Sequence, residues 1–372
     1  MSLTSKERIR MLLGGEIPDR IGKADAPWPE TRERWYKEGL PAGVHANDYF
    51  QMDVRMMIQV SHSFQLPESI VEETDEYVVS RDGDGNLVKG WKGRSGAPLV
   101  IEPAVNSRDD WERVKERLVA NDRRFAFGYY GNYYFEYAHG EFSGVKAAYD
   151  ACTNCADTFV VASVADPYEF ALSKMGDENL LTAMALDPGL LHDMFKVYVK
   201  MAVESCDIIF RSGMKPDGFF IGGDIAYKNG LLFSPKLHRE IIFPYLKEII
   251  DYLKRERGQQ VIYHSDGKVT EAIPLLVEAG IDCLQPLEVN AGMDVRTLAR
   301  EWGKKLAFMG NISNETMSGP KDDLEEEVRS KIDACRRARA RYIIHSDHSV
   351  PPTVPYENFR FMMELVDRYG KY

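Results

Sequence analysis

Nowhere in this chain of 372 residues is there an uninterrupted apolar run of the ~18 residues that a membrane-spanning helix needs, which excludes a spanning segment. A basic surplus is also missing. Lys+Arg 47 against Asp+Glu 58 leave a formal charge of −11, which argues against non-specific attraction to nucleic acid or anionic membranes. The same balance disfavours a highly anionic substrate unless a local basic pocket forms. Cysteine is scarce and odd in number, with five residues (Cys152, Cys155, Cys206, Cys283, Cys335) scattered along the chain. That usage points to free thiols rather than a disulfide framework, and the single CxxC of Cys152 and Cys155 carries little weight. The opening "MSLTSKERIRMLLGGEIPDRI" lacks a small-residue cleavage site behind its short apolar patch, so it is not a signal peptide and the chain reads as cytoplasmic. No internal repeat or low-complexity tract is visible. Nor does any early strand lead into a glycine-rich phosphate fingerprint, since Ile221-Gly222-Gly223-Asp224 does not fit one.

What is present, from about residue 155 onward, is a regular alternation of short apolar runs with stretches of helical period. The strand candidates are Phe159–Ser163, Asp217–Ile221, Gln260–His264, Asp282–Leu287, Leu306–Gly310 and Arg341–His345. Each is near-continuously apolar, the signature of parallel strands covered on both faces. Between them lies "SPKLHREIIFPYLKEIIDYLKRERG", with Ser234 as N-cap, Pro235 at the first helical position, Gly258 as a stop, and Pro244 predicting a kink or split. Two more strands, around Arg20–Ala24 and Met52–Val60, bring the count to eight and predict an α/β (β/α)8 TIM barrel in a single domain over 1–372. A doubly wound sheet is the alternative. Residues 65–155 interrupt the pattern before the third strand. There "EYVVSRDGDGNLVKGWKG" alternates in period 2 around Asp82-Gly83-Asp84-Gly85-Asn86, predicting a hairpin within an excursion from the barrel.

The late strands share a feature at their carboxyl ends, which in a parallel barrel open on one face. They end in Gly222-Gly223-Asp224, His264-Ser265-Asp266-Gly267, Pro286-Leu287-Glu288, Gly310-Asn311-Ile312-Ser313 and Ser346-Asp347-His348. His264 and Asp266 are two apart, so they project to one side in extended chain, and Gly267 lets the backbone turn away. With Glu288 from the next strand and His348 from the eighth, two imidazoles and two carboxylates form a ligand set suited to Zn²⁺. The competing reading is that these groups satisfy one another, or loop amides, without metal. Asp347 is placed to orient a histidine. Asp224 and Tyr227 are candidates for proton transfer or for holding substrate. The run "FAFGYYGNYYFEY" holds eight aromatics (Phe125, Phe127, Tyr129, Tyr130, Tyr133, Tyr134, Phe135, Tyr137) that suit either a pocket wall or a barrel cover and interface.

These phrases carry a resemblance. Through "DGFFIGGDIAYKNGLLFSPKLHREIIFPYLKEII", "VIYHSDGKVTEAIPLLVEAGIDCLQPLE", "LAFMGNIS" and "YIIHSDHSVPPTVPYENF" the chain resembles the uroporphyrinogen decarboxylase superfamily. That superfamily holds porphyrinogen decarboxylases and cobalamin-dependent methyltransferases on one (β/α)8 scaffold. The decarboxylases' R-x-x-G-R-Y-L-P loop is absent. "APWPETRERWYKEGLP" stands in its place, with only Arg32 and Arg34. The resemblance therefore favours the methyltransferase branch, whose zinc site takes a His-x-Cys on one strand and a Cys on the last. Here His264 fits the first position, Asp266 and His348 replace the cysteines, and Glu288 matches a further ligand of related methionine synthases. What this implies is a zinc-dependent enzyme moving a methyl group from a small O-methyl or N-methyl compound, aromatic ones included, to a corrinoid protein, and by analogy a homodimer. Hard oxygen and nitrogen ligands leave the ion more electrophilic and matched to an ether oxygen. A metal-free decarboxylase of tetrapyrrole metabolism is the alternative the resemblance leaves open.

Overall fold

The apolar runs do form parallel strands. The computed structural model describes residues 3–94, 96–131, 138–153 and 157–372. In chain order the parallel strands are β1 (Gly22–Lys23), β2 (Val54–Val60), β3 (Phe159–Ala165), β4 (Gly218–Gly222), β5 (Val261–His264), β6 (Cys283–Gln285), β7 (Ala307–Ile312) and β8 (Arg341–Ser346). From β2 to β8 each pairs with the next, and β8 pairs back to β1. The result is a curled parallel sheet with the strand order of a (β/α)8 fold. One departure from pure alternation stands out. The strand Phe125–Tyr129, part of the aromatic run, lies antiparallel against Met56–Val60 on the edge of β2 away from β3. The hairpin expected around Asp82 forms between Tyr77–Arg81 and Leu87–Trp91, inside a separate four-stranded antiparallel sheet.

Alternation along each strand divides the core in two. Val160, Phe219, Tyr263, Leu284, Phe308 and Ile344 pack outward against the helices. Their neighbours Val161, Ile262, Cys283, Ala307, Met309 and Ile343 pack together inside the curl. Both faces of each strand are therefore apolar, which is why the runs look continuous in sequence. Cys206, Cys283 and Cys335 are buried free thiols, while Cys155 lies outside the described residues. Ser234 caps its helix by accepting from Leu237 N–H. Pro244 is accommodated by a π-turn at His238–Ile242, which re-spaces the backbone just before it, so the helix is re-wound there rather than broken. Among the described residues no helix is long and apolar enough to cross a membrane.

The open seam between β1 and β2 is bridged by one buried carboxylate. Asp53, fully buried, donates its backbone N–H to the Lys23 carbonyl at 2.7 Å and accepts from Lys23 N–H at 2.8 Å through Oδ2. Its oxygens also take Arg8 Nη1 at 2.9 Å and Arg20 Nη1 at 2.7 Å. Helix Ser5–Gly14, β1 and β2 thus meet on one side chain. Removing it leaves Arg20 without its carboxylate and Arg8 with Asp19 alone at the seam, so Asp53→Ala is expected to cost about 3–5 kcal/mol. Equilibrium urea unfolding measures this, and a loss below about 1 kcal/mol would show that other contacts hold the seam.

Candidate active site

Following each inward column one step further reaches the carboxyl ends of the strands, and there the chemistry changes. Val161 is followed by Ser163, Ile262 by His264, Cys283 by Gln285 and Ile343 by His345, so the layer above the apolar interior is polar. All four line a cavity of about 670 Å³. Asp224, Asp266, His348 and Glu169 line it too, whereas no Lys or Arg does among the described residues.

Asp224, His264 and Asp266 each offer a ligand atom, and these atoms all lie within 4.8 Å of one another. His264 Nε2 is 3.4 Å from Asp224 Oδ1. Its Nδ1 faces Gln285 Oε1 at 2.5 Å. An amide oxygen only accepts, so Nδ1 carries the hydrogen and Nε2 is turned toward the carboxylates. Asp266 donates its N–H to Asp224 Oδ1 at 2.9 Å, and its Oδ2 lies 3.2 Å from His348 Nε2. The other oxygen, Asp266 Oδ1, is buried with no hydrogen-bond partner. His348 thus joins the group through Asp266 rather than as part of the tight trio.

The turn after His264 owes its shape to Gly267, whose φ of +80° and a Cβ position 2.7 Å from the Ala226 backbone leave room for no side chain. Gly223 is equally constrained: a Cβ there would lie 2.5 Å from Asp166 Cγ. These two glycines let β4 and β5 bring Asp224 and Asp266 together.

Charge concentrates here. Burial opposes protonation of His264, yet Asp224 and Asp266 outweigh it and hold its pKa above the usual imidazole value. The hydrogen bond to Asp266 raises His348 to about 9, against the effect of burial. Beside Asp224, burial, then Asp224 and Asp166, push Glu169 up to about 7. Burial likewise raises Asp166, the N-cap of helix Pro167–Leu186, to about 6, although Tyr263 Oη–H donates to it at 2.9 Å. A site this rich in carboxylates retains protons or takes up a cation.

The structure sets several of the predicted residues apart from the trio. Glu288 is not in the trio: its Oε2 accepts from Gly267 N–H at 2.8 Å and so fastens the turn beneath Asp266. Asp347 does not reach a histidine by hydrogen bond. Its oxygens take Val289 N–H at 3.2 Å and Asn314 N–H at 3.1 Å, tying the loops after β6 and β7. Tyr227 sits on a small hairpin with its side chain 66% exposed and outside the cavity lining. Of the aromatic run, Phe125 and Phe127 are core and Tyr130 lines the cavity. Tyr129 stacks on His45 instead, and Tyr133, Tyr134, Phe135 and Tyr137 lie outside the described residues. Sequence reasoning missed Glu169, Gln285 and His345. Only Glu169 had a signal, as an acidic residue in the first turn after the Asp166-Pro167 start.

Comparison with known proteins places the chain in a lineage. Residues 140–369 match the model described as Uroporphyrinogen decarboxylase (URO-D). The chain belongs to that family. Curated URO-D relatives include the uroporphyrinogen decarboxylases of Trichlorobacter lovleyi (29% identical over 143 residues, 38% of this chain and 40% of that protein) and Geobacter sulfurreducens (30% over 143 residues, 38% and 40%). That of Schizosaccharomyces pombe is 25% identical over 148 residues, covering 37% of this chain and 39% of the relative. The matched stretch thus spans about 40% of the length of these relatives. Among solved structures, a methyltransferase from Methanosarcina mazei shares the fold over 99% of both chains, with a TM-score of 0.65 at 15% identity.

Within this URO-D family member, Gln285 fixes the tautomer of His264, and second partners of that kind govern how well an imidazole binds a cation. A zinc ion held by His264 Nε2 would be bound about 10–100-fold more weakly in Gln285→Leu, as measured by competition with a chromophoric chelator. An unchanged affinity would mean that His264 Nε2 is not a ligand.

Proposed function

We propose that the chain is a zinc-dependent methyltransferase that moves a methyl group from a small O-methyl or N-methyl compound to a corrinoid protein. The observation that carries this reading is the trio Asp224, His264 and Asp266, with the buried Asp266 Oδ1 left unpartnered beside it. Two carboxylates and an imidazole are a donor set that Zn²⁺ accepts, and the orphaned oxygen lacks only a cation or a donor. The residues that would hold the ion are Asp224, His264 and Asp266, with His348 bound to Asp266 as a fourth group within reach. When bound, such an ion supplies Lewis acidity toward the oxygen or nitrogen that carries the methyl group.

The chain's own contribution is positional and protonic. Gln285 keeps His264 Nε2 aimed at the carboxylates. Glu169, on the cavity wall near Asp224, is the carboxyl placed to return a proton to the departing oxygen once the methyl group has left. The apolar walls formed by Phe220 and Met57 exclude water from the methyl group.

Decarboxylation is the second reading, favoured by the family match and the names of the curated relatives. Against it stands a cavity lined, among the described residues, by acidic groups and histidines but no Lys or Arg. An acidic tetrapyrrole has several carboxylates to neutralise, and such a surface offers no permanent cation for them.

Metal analysis of protein purified without added zinc separates the readings. About one Zn²⁺ per chain, lost in Asp266→Ala, together with methyl transfer from a panel of methoxyarenes to cob(I)alamin, is expected. A metal-free preparation that releases CO₂ from uroporphyrinogen would overturn the proposal. Glu169→Gln is expected to keep the zinc and lower turnover about 10²–10⁴-fold.

A further inference from the structure

The polar layer contains a group that the ion site does not use. His345 stands above Ile343 in the inward column of β8, is 1% exposed, and lines the cavity. Its Nδ1 is 2.7 Å from the Ser346 carbonyl oxygen and 3.8 Å from Asp25 Oδ1. Both neighbours are acceptors, so in the neutral ring Nδ1 carries the hydrogen and Nε2 presents a bare lone pair. Asp25 is itself locked: its Oδ1 takes Ala26 N–H at 2.9 Å and Ser346 Oγ–H at 2.6 Å. The tautomer is therefore imposed from behind. Nε2 is buried and has no hydrogen-bond partner in the protein. Gln59 Oε1, another acceptor on the cavity lining, is also buried and unpartnered.

Aromatic rings join this acceptor to the ion site. His345 meets Tyr130 edge-on at a centroid distance of 6.0 Å, and Tyr130 meets Phe220 at 5.8 Å. Phe220 in turn lies 5.6 Å from the His264 ring. The wall between the two imidazoles is thus built of aromatic rings and suited to an arene, edge to face as well as stacked.

We propose that His345 is a substrate-binding residue whose Nε2 accepts a hydrogen bond from a hydroxyl group, so that the chain prefers hydroxylated methoxyarenes bound with the methoxy end at Asp224, His264 and Asp266. The methoxy half rests on the methyltransferase reading; the hydroxyl half rests on the buried acceptor alone. A carboxylate in the same place would meet a lone pair, with no Lys or Arg among the described lining residues to offset it. A neutral donor is what the site requires.

Titration calorimetry with matched probes tests this without any need for turnover. 4-Methoxyphenol and 3-methoxyphenol are compared with 4-methoxytoluene and 3-methoxytoluene, which replace the hydroxyl by a methyl of similar size. Wild-type protein is expected to bind at least one phenol about tenfold more tightly than its toluene counterpart. In His345→Phe that ratio falls to about one, while His345→Gln, which keeps an acceptor, retains part of it. Equal affinities in the wild type, or a preference that survives in a folded His345→Phe protein, would overturn the inference. Methyl transfer is scored separately. A hydroxyl preference without transfer keeps this inference and sinks the methyltransferase reading; transfer without the preference does the reverse.

Discussion

A carboxylate or imidazole taken out of water must be matched by a partner, and this constraint shapes the open end of the sheet. In strands covered on both faces, every second side chain points inward. The interior remains apolar up to Val161, Ile262, Cys283 and Ile343, then becomes polar at the next inward position. Four polar side chains meeting in one layer cannot each find water. Neighbours orient them instead, as Gln285 does for His264 and the Ser346 carbonyl does for His345. The sharpness of the site follows from this mutual constraint.

The charge distribution points the same way. Asp166, Glu169, Asp224 and Asp266 approach one another from three strands and a helix start, and the described lining supplies no Lys or Arg to balance them. Protons on His264, His348 and Glu169 balance part of this charge, and a divalent cation would balance it more completely. A pocket that attracts cations and repels anions is poorly matched to a polycarboxylate, whatever the lineage of the fold. Family membership here describes how the chain is built. The lining residues describe what it can hold.

Much of the scaffold was legible because burial on both faces leaves continuous apolar runs, and five of the late strands fall where those runs lie. β6 is shorter than the run Asp282–Leu287 suggests, since Pro286 has no N–H to continue the ladder. His264 and Asp266 could be paired from their spacing of two. Glu288 and Asp347 could not be sorted the same way. Whether a strand-end carboxylate meets a cation or a loop amide depends on the path of the loop, which composition does not specify. Tyr227 lies outside the cavity for a similar reason, because the turn after Asp224 carries it outward. Gln285 and His345 were invisible as site residues, since each sits at the end of a run that reads as ordinary strand. The strand Phe125–Tyr129 was hidden by its aromatic content, which fits a wall, a cover or a strand equally well.

The antiparallel sheet outside the curl is tied by a buried ion pair to the helix that borders the active end. Lys174, with no exposed side-chain surface, contacts Asp84 Oδ2 at 2.6 Å, and Asn86 Nδ2–H donates to the Ser173 carbonyl at 3.0 Å. Lys174 and Ser173 belong to the helix that starts at Asp166 and carries Glu169. The exposed strand Ser69–Glu73 is thus free to vary in length and composition. The tip of the neighbouring hairpin is not, because its aspartate is the counter-ion of an ammonium seated beneath the helix that supplies an acid to the cavity.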